Sequence, residues 1–83
     1  MHSPFDLLEE LLEAIAKTLV DHPEEVQVRA VQGQAVRILE LRVHPEDVGR
    51  VIGHNGRIAE ALRTIFRAAG RKLHERVTVV ILE

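Results

Sequence analysis

The sequence predicts a single α+β domain in the order helix, strand, strand, helix, helix, strand, with a three-stranded mixed sheet and three helices on one face. Three observations carry that prediction. The chain has 83 residues, which suffices for one hydrophobic core and is too short for two. Its apolar residues switch between three- and four-residue steps and simple alternation, the signatures of helices and strands. Its composition, 46% hydrophobic and 29% charged, lies near ordinary globular averages and excludes disordered, collagen-like and low-complexity classes.

The first helix opens at Ser3 as N-cap, with Pro4 in the first helical position and Asp6 three residues after the serine, the spacing of a capping box. Phe5, Leu8, Leu12, Ile15, Ala16 and Leu19 then share one face, and Glu9, Glu10, Glu13 and Lys17 the other. Asp21-His22-Pro23 stops this helix, because proline disfavours helical geometry in the residue before it. Val26 to Val31 alternates as a strand, Gln32-Gly33-Gln34 makes the turn, and Val36 to Val43 completes a β-hairpin.

His44-Pro45-Glu46-Asp47 is a helix start, with an early proline and two carboxylates that the helix dipole favours, and the short helix runs to Ile52. The tripeptide His-Pro-Glu occurs at 22–24, before a strand, and at 44–46, before a helix, so it is not read as an internal repeat. After Gly53-His54-Asn55-Gly56, a third helix places Ile58, Leu62, Ile65, Phe66 and Ala69 on one face and ends near Gly70 or a turn later. Val77 to Leu82 is an apolar run of strand length. A strand, two helices and a returning strand form a crossover, so strands 36–43 and 77–82 are expected to be parallel neighbours, with the hairpin partner at the edge. One face of the sheet is then left without cover from the chain.

Composition also removes function classes. The chain has no cysteine, which excludes disulfide frameworks, thiolate metal sites and cysteine nucleophiles and points to a cytoplasmic location. Its apolar runs are too short to cross a membrane. The start, Met1-His2-Ser3-Pro4-Phe5-Asp6, lacks the basic and apolar stretches of a signal peptide. The formal charge of −2 conceals an uneven distribution: residues 1–49 sum to −6 and residues 50–76 to +5. A phosphate within a Debye length of about 8 Å meets the local patch rather than the total. That patch is Arg50, Arg57, Arg63, Arg67, Arg71, Lys72 and Arg76, rich in the side chain best suited to forked phosphate contact.

Within this patch lies Gly49-Arg50-Val51-Ile52-Gly53-His54-Asn55-Gly56-Arg57-Ile58, two helices joined by a four-residue loop with glycine at each end. Glycines permit unusual dihedrals and remove side chains that would hold a sugar-phosphate strand at a distance. The second helix begins at the loop, so its N–H groups and positive dipole end favour a phosphate there. A bare Gly-x-x-Gly is common by chance; the preceding Val-Ile, the flanking helices and the basic stretch single this one out.

On these residues the chain resembles a KH domain, and its element order matches the bacterial type II arrangement. Val20-Asp21-His22-Pro23-Glu24-Glu25-Val26, Leu41-Arg42-Val43 and Gly49 through Thr64 further resemble the single-domain KhpA family, over nearly the whole chain. The resemblance implies a non-catalytic RNA-binding protein, a post-transcriptional regulator or RNA chaperone, that grips about four single-stranded nucleotides. Carried onto this sequence, Gly53, His54, Asn55 and Gly56 clamp the backbone, with Arg50 and Arg57 adding charge. Ile52, Ile58 and Ala59 help form an apolar wall under the bases, and sheet residues near Leu39, Leu41 and Val43 the opposite wall. The family often carries lysine or arginine inside the loop, where this chain has His54-Asn55. Because histidine ordinarily titrates near 6.5, RNA binding is expected to be stronger near pH 6 than pH 8.

Other chemistries lack support in the pattern. His2, His22, His44, His54 and His74 lie on separate elements without three- or four-residue pairing, so no metal site or cofactor is expected. Glu46 and Asp47 read as dipole stabilisers, and Glu60 is placed to pair with Arg63 on one helix. No catalytic triad or phosphate-loop signature is present. With no Trp or Tyr and two Phe expected in the core, bases cannot stack on exposed aromatic platforms. A second role is assembly: Val26, Val28, Val36, Ile38 and both alternations of Val77 to Leu82 exceed what one covered face requires. The partner would be a second copy, or, by resemblance, the KH-family protein KhpB.

Overall fold

The apolar stripe of the first segment winds into α1 (Pro4–Leu19), burying Leu8, Leu12 and Ala16, while Leu7 and Leu11 on its other side stay exposed. The computed structural model describes residues 4–83; the expected cap Ser3 lies outside them. After α1 come β1 (Gln27–Gln32), β2 (Arg37–Arg42), α2 (Val48–Ile52), α3 (Arg57–Lys72) and β3 (Val77–Leu82), the expected order.

The two His-Pro-Glu tripeptides, read as leading to different structures, form the same one: single turns of 3-10 helix at Pro23–Glu25 and Pro45–Asp47. In both, proline presets the helical φ at the first position and histidine stands just before it.

β1 runs antiparallel to β2 with Ala30 opposite Leu39, and β2 runs parallel to β3 with Leu39 opposite Val79. β2 is therefore central, and Leu39 and Leu41 are fully buried beneath the helices. They meet Leu12 of α1, Val51 of α2 and Phe66 of α3 in one core. Truncating a fully buried leucine such as Leu39 to alanine would cost about 2–5 kcal/mol. The other face of the sheet alternates to Arg29 and Val31, Ile38 and Glu40, and Thr78, Val80 and Leu82.

On α3 the buried residues are Ala59, Leu62, Phe66 and Gly70, and Ile65, expected on that face, is 50% exposed. At about 100° per residue, a neighbour of the central Phe66 falls at the margin of the buried arc. Gly70 does not end the helix. It lies inside it, where an added Cβ would stand 2.7 Å from Val77 Cγ2 and 2.8 Å from the Glu75 carbonyl oxygen. α3 stops instead in a Schellman motif: His74 adopts a left-handed φ of 59°, its N–H donates to the Arg71 carbonyl, and the Glu75 N–H donates to that of Gly70.

Candidate nucleic-acid interface

The glycine loop is built by backbone conformation. Gly53 has φ 79° and ψ 173°, a region essentially closed to residues with a Cβ, and its N–H donates to the Gly49 carbonyl as α2 ends. His54–Gly56 make a tight kink in which Asn55 (φ 57°) and Gly56 (φ 75°) are both left-handed, closed by the Gly56 N–H donating to the Gly53 carbonyl and the Arg57 N–H to that of His54. The glycines serve different purposes. A Cβ on Gly53 would lie 2.6 Å from Ile58 Cγ1, so Gly53 makes room for the helix that follows; over Gly56 nothing lies within 4 Å. The open side of the loop is therefore bare backbone, with His54 and Asn55 exposed beside it.

Among the described residues no side chain caps Gly53 or Gly56, so the start of α3 presents its amides and positive dipole end without a local side-chain acceptor from them. Arg57, the first residue of α3, is exposed and has no ion-pair partner among the described residues. A cation at that end opposes the helix dipole, which makes a bound anion the natural third charge. Arg50 is paired at 3.1 Å with Asp21, but both side chains are more than half exposed, so the pair is weak and easily exchanged for a phosphate. Arg63 is turned away, with Nε donating to the Val79 carbonyl and Nη1 3.5 Å from Glu60, the pairing expected from their spacing.

The apolar wall differs from expectation. Ile52 and Ile58 are half-buried and border the loop, whereas Ala59 is 4% exposed and lies in the core. Leu39 and Leu41 are fully buried and Val43 nearly so, so none forms an open second wall. The period-two alternation of a central strand turns these residues toward the helices.

Sequence reasoning also missed a polar clasp. Asp47, just before α2, is buried; one of its carboxylate oxygens accepts from the His22 backbone N–H at 3.0 Å and lies 2.9 Å from His22 Nδ1. Burial opposes ionisation of Asp47, but hydrogen bonds from His22 and Asp21 outweigh it and hold the carboxyl below its usual value. The same hydrogen bond raises the His22 pKa; desolvation works against this, and the charges of Asp47, Glu24 and Glu46 reinforce it. His22 in turn stacks on His44 at 4.0 Å between ring centroids, 15° from parallel. The repeated His-Pro-Glu was the available signal.

Spacing gave no reason to bring these histidines together, yet His22, His44 and Glu46 hold potential ligand atoms within 4.8 Å of one another. The geometry fits a stack better than a metal centre. Near-parallel rings do not aim two nitrogens at one point, His22 Nδ1 is engaged by Asp47, and His44 Nδ1 accepts from the Glu46 N–H.

The basic stretch divides in space. Arg50 and Arg57 flank the loop, while Arg67, Arg71 and Arg76 lie toward the other end of α3, a helix of 16 residues and so about 24 Å long. Among the described residues, no helix is long and apolar enough to cross a membrane.

Comparison with known proteins adds a family. The family described as KhpA/KhpB, KH domain, matches residues 9–81. RNA-binding protein KhpA of Clostridium acetobutylicum is 56% identical over 75 residues, covering 90% of this chain and all of that protein. The proteins of the same name from Aquifex aeolicus and Streptomyces coelicolor are 49% and 53% identical, over 92% and 77% of this chain and 96% and 81% of their own lengths.

Proposed function

The chain belongs to the KhpA/KhpB KH-domain family, and from that premise we propose that it binds single-stranded RNA at the Gly53–Gly56 loop. About four nucleotides lie with their sugar-phosphate backbone against Gly56 and the start of α3, where Arg57 and Arg50 neutralise phosphates and Ile52 and Ile58 meet the bases. The observation that carries this reading is the open space over Gly56 beside an unpaired arginine at an uncapped helix start. No reaction is catalysed. The protein acts in the cytoplasm as a post-transcriptional regulator or RNA chaperone, a role that needs a grip on RNA and no cofactor.

The test is the double variant His54→Asp with Asn55→Asp. Both side chains are exposed, and Asp tolerates the left-handed conformation of residue 55, so folding is retained while two negative charges enter the loop. Affinity for a short single-stranded RNA should fall at least tenfold with the melting temperature nearly unchanged. Unaltered affinity would remove the loop from RNA binding.

The uncovered sheet face favours an additional role in assembly, as a homodimer or with KhpB. Val80 is 38% exposed there, alongside the half-buried Val31, Ile38 and Leu82. Val80→Glu should shift sedimentation toward monomer and leave RNA affinity intact; loss of both together would place the contact at the loop.

A further inference from the structure

We infer that a cleft toward the far end of α3 is a second phosphate subsite, taking a downstream or upstream nucleotide of the same RNA strand that the glycine loop holds. The inference rests on the reading of that loop as an RNA site. The cleft has a volume of about 420 Å³, within the usual range for small-ligand sites. Arg67, Arg71 and Arg76 line it, with Val36 and Val77 supplying an apolar floor.

None of the three guanidinium groups has a salt-bridge or hydrogen-bond partner among the described residues. Arg67 and Arg71 stand four residues apart on one helix, where like charges repel. Arg76, just before β3, comes from a different segment, and its carbonyl accepts from the Arg37 N–H at 2.8 Å. Glu75 also borders the cleft, so three cations face one carboxylate and the surplus is positive. An anion between the arginines relieves the mutual repulsion of their guanidinium groups. Guanidinium forks suit phosphate oxygens, and the apolar floor suits the face of a base.

Geometry links this cleft to the loop. Arg57 and Arg71 are separated by just under four helical turns, so they emerge on nearly the same side of α3, about 21 Å apart. At the stacked spacing of about 3.4 Å per phosphate, about six nucleotides bridge that distance. A four-nucleotide RNA is used up by the loop itself and leaves nothing over for the cleft, whereas a twelve-nucleotide RNA would reach it.

The experiment titrates the protein with oligouridylates of four and twelve nucleotides, following affinity by fluorescence anisotropy and backbone amides by NMR, with the exposed double variant Arg71→Ala, Arg76→Ala. The longer RNA should bind the parent at least tenfold more tightly. It should shift the Thr78 amide as well as that of Gly56. The variant should lose most of that advantage, keep its affinity for the four-nucleotide RNA, and show a salt slope for the longer RNA reduced by about 1.4, the value for two phosphate contacts. Equal binding of the longer RNA by parent and variant, with Gly56 shifting and Thr78 still, would overturn the second subsite and leave the loop reading standing. Shifts at Thr78 without any at Gly53 or Gly56 would overturn the loop reading and the shared strand with it. Uridine monophosphate shifting Thr78 while the longer RNA ignores the arginines would overturn the shared strand in favour of a free nucleotide.

Discussion

Replacing either loop glycine by alanine should destabilise the domain, but by unequal amounts and for different reasons. At Gly56 the cost is conformational: φ 75° and ψ 14° is left-handed helical space, worth about 1–2 kcal/mol against an L-residue, and the new methyl meets nothing within 4 Å. At Gly53, φ 79° with ψ 173° costs about 1–3 kcal/mol, and a methyl 2.6 Å from Ile58 Cγ1 must also displace that side chain, for about 1–3 kcal/mol more. A domain of this size has a total stability of about 4–12 kcal/mol, so Gly53→Ala removes a large share of it. Thermal unfolding by circular dichroism should show a fall of about 4–8 °C for each kcal/mol, hence at least twice the drop for Gly53→Ala as for Gly56→Ala. In an Ile58→Ala background, which removes Cγ1 and Cδ1, the Gly53→Ala penalty should shrink by about 1–3 kcal/mol. Equal drops for the two single variants, or additive effects with Ile58→Ala, would refute the division of labour between the glycines.

Protonation of the clasp supplies a pH profile. The raised pKa of His22 gives stability that is complete below its ordinary 6.5 and is lost as pH rises through the folded value; the lowered pKa of Asp47 gives stability that is complete above its ordinary 3.8 and is lost as pH falls through the folded one. Melting temperature should therefore be greatest between about pH 3.8 and 6.5 as far as this pair is concerned, and decline above; Asp47→Asn should flatten the alkaline decline, and a decline unchanged in that variant would assign it elsewhere. His74→Gly, which relieves a φ of 59° at the end of α3, should stabilise the domain by about 1 kcal/mol, and a lower melting temperature would contradict the Schellman assignment. For a four-nucleotide RNA at the loop, two to four phosphate contacts give a slope of log affinity on log salt between about −1.4 and −2.8, and a slope near zero would dismiss Arg50 and Arg57 as phosphate ligands.

Most of the architecture was legible because periodicity reports burial directly. The stripe Leu8-Leu12-Ala16 and the branched run preceding Val43 each named an element and its covered side, and the strand–helix–helix–strand order implied a parallel pair. The loop was legible for a similar local reason: glycines at 53 and 56 mark dihedrals that other residues resist. What escaped were relations between distant segments. The His-Pro-Glu beside Asp47 repeats the one at His22, but a repeated tripeptide does not say that the carboxylate accepts from His22, twenty-five residues away, and a charged residue at a helix start reads as exposed by default. Ile65 escaped because a face of α3 was drawn one residue too wide, and the sequence left open which sheet residues near Leu39 and Leu41 face a groove, where the central strand gives those two to the core. The basic stretch looked like one patch along the chain; wound on a helix of four turns, it has two ends.

The clasp at Asp47 has a consequence for engineering. α2 is five residues long, too short to hold a helical shape by itself, and it is fastened by Val51 in the core and by the carboxylate that His22 grips. The segment 47–57 is thus no portable cassette. Transplanted into another scaffold it would arrive without the histidine that orients it, and a graft meant to carry this loop must bring residue 22 along.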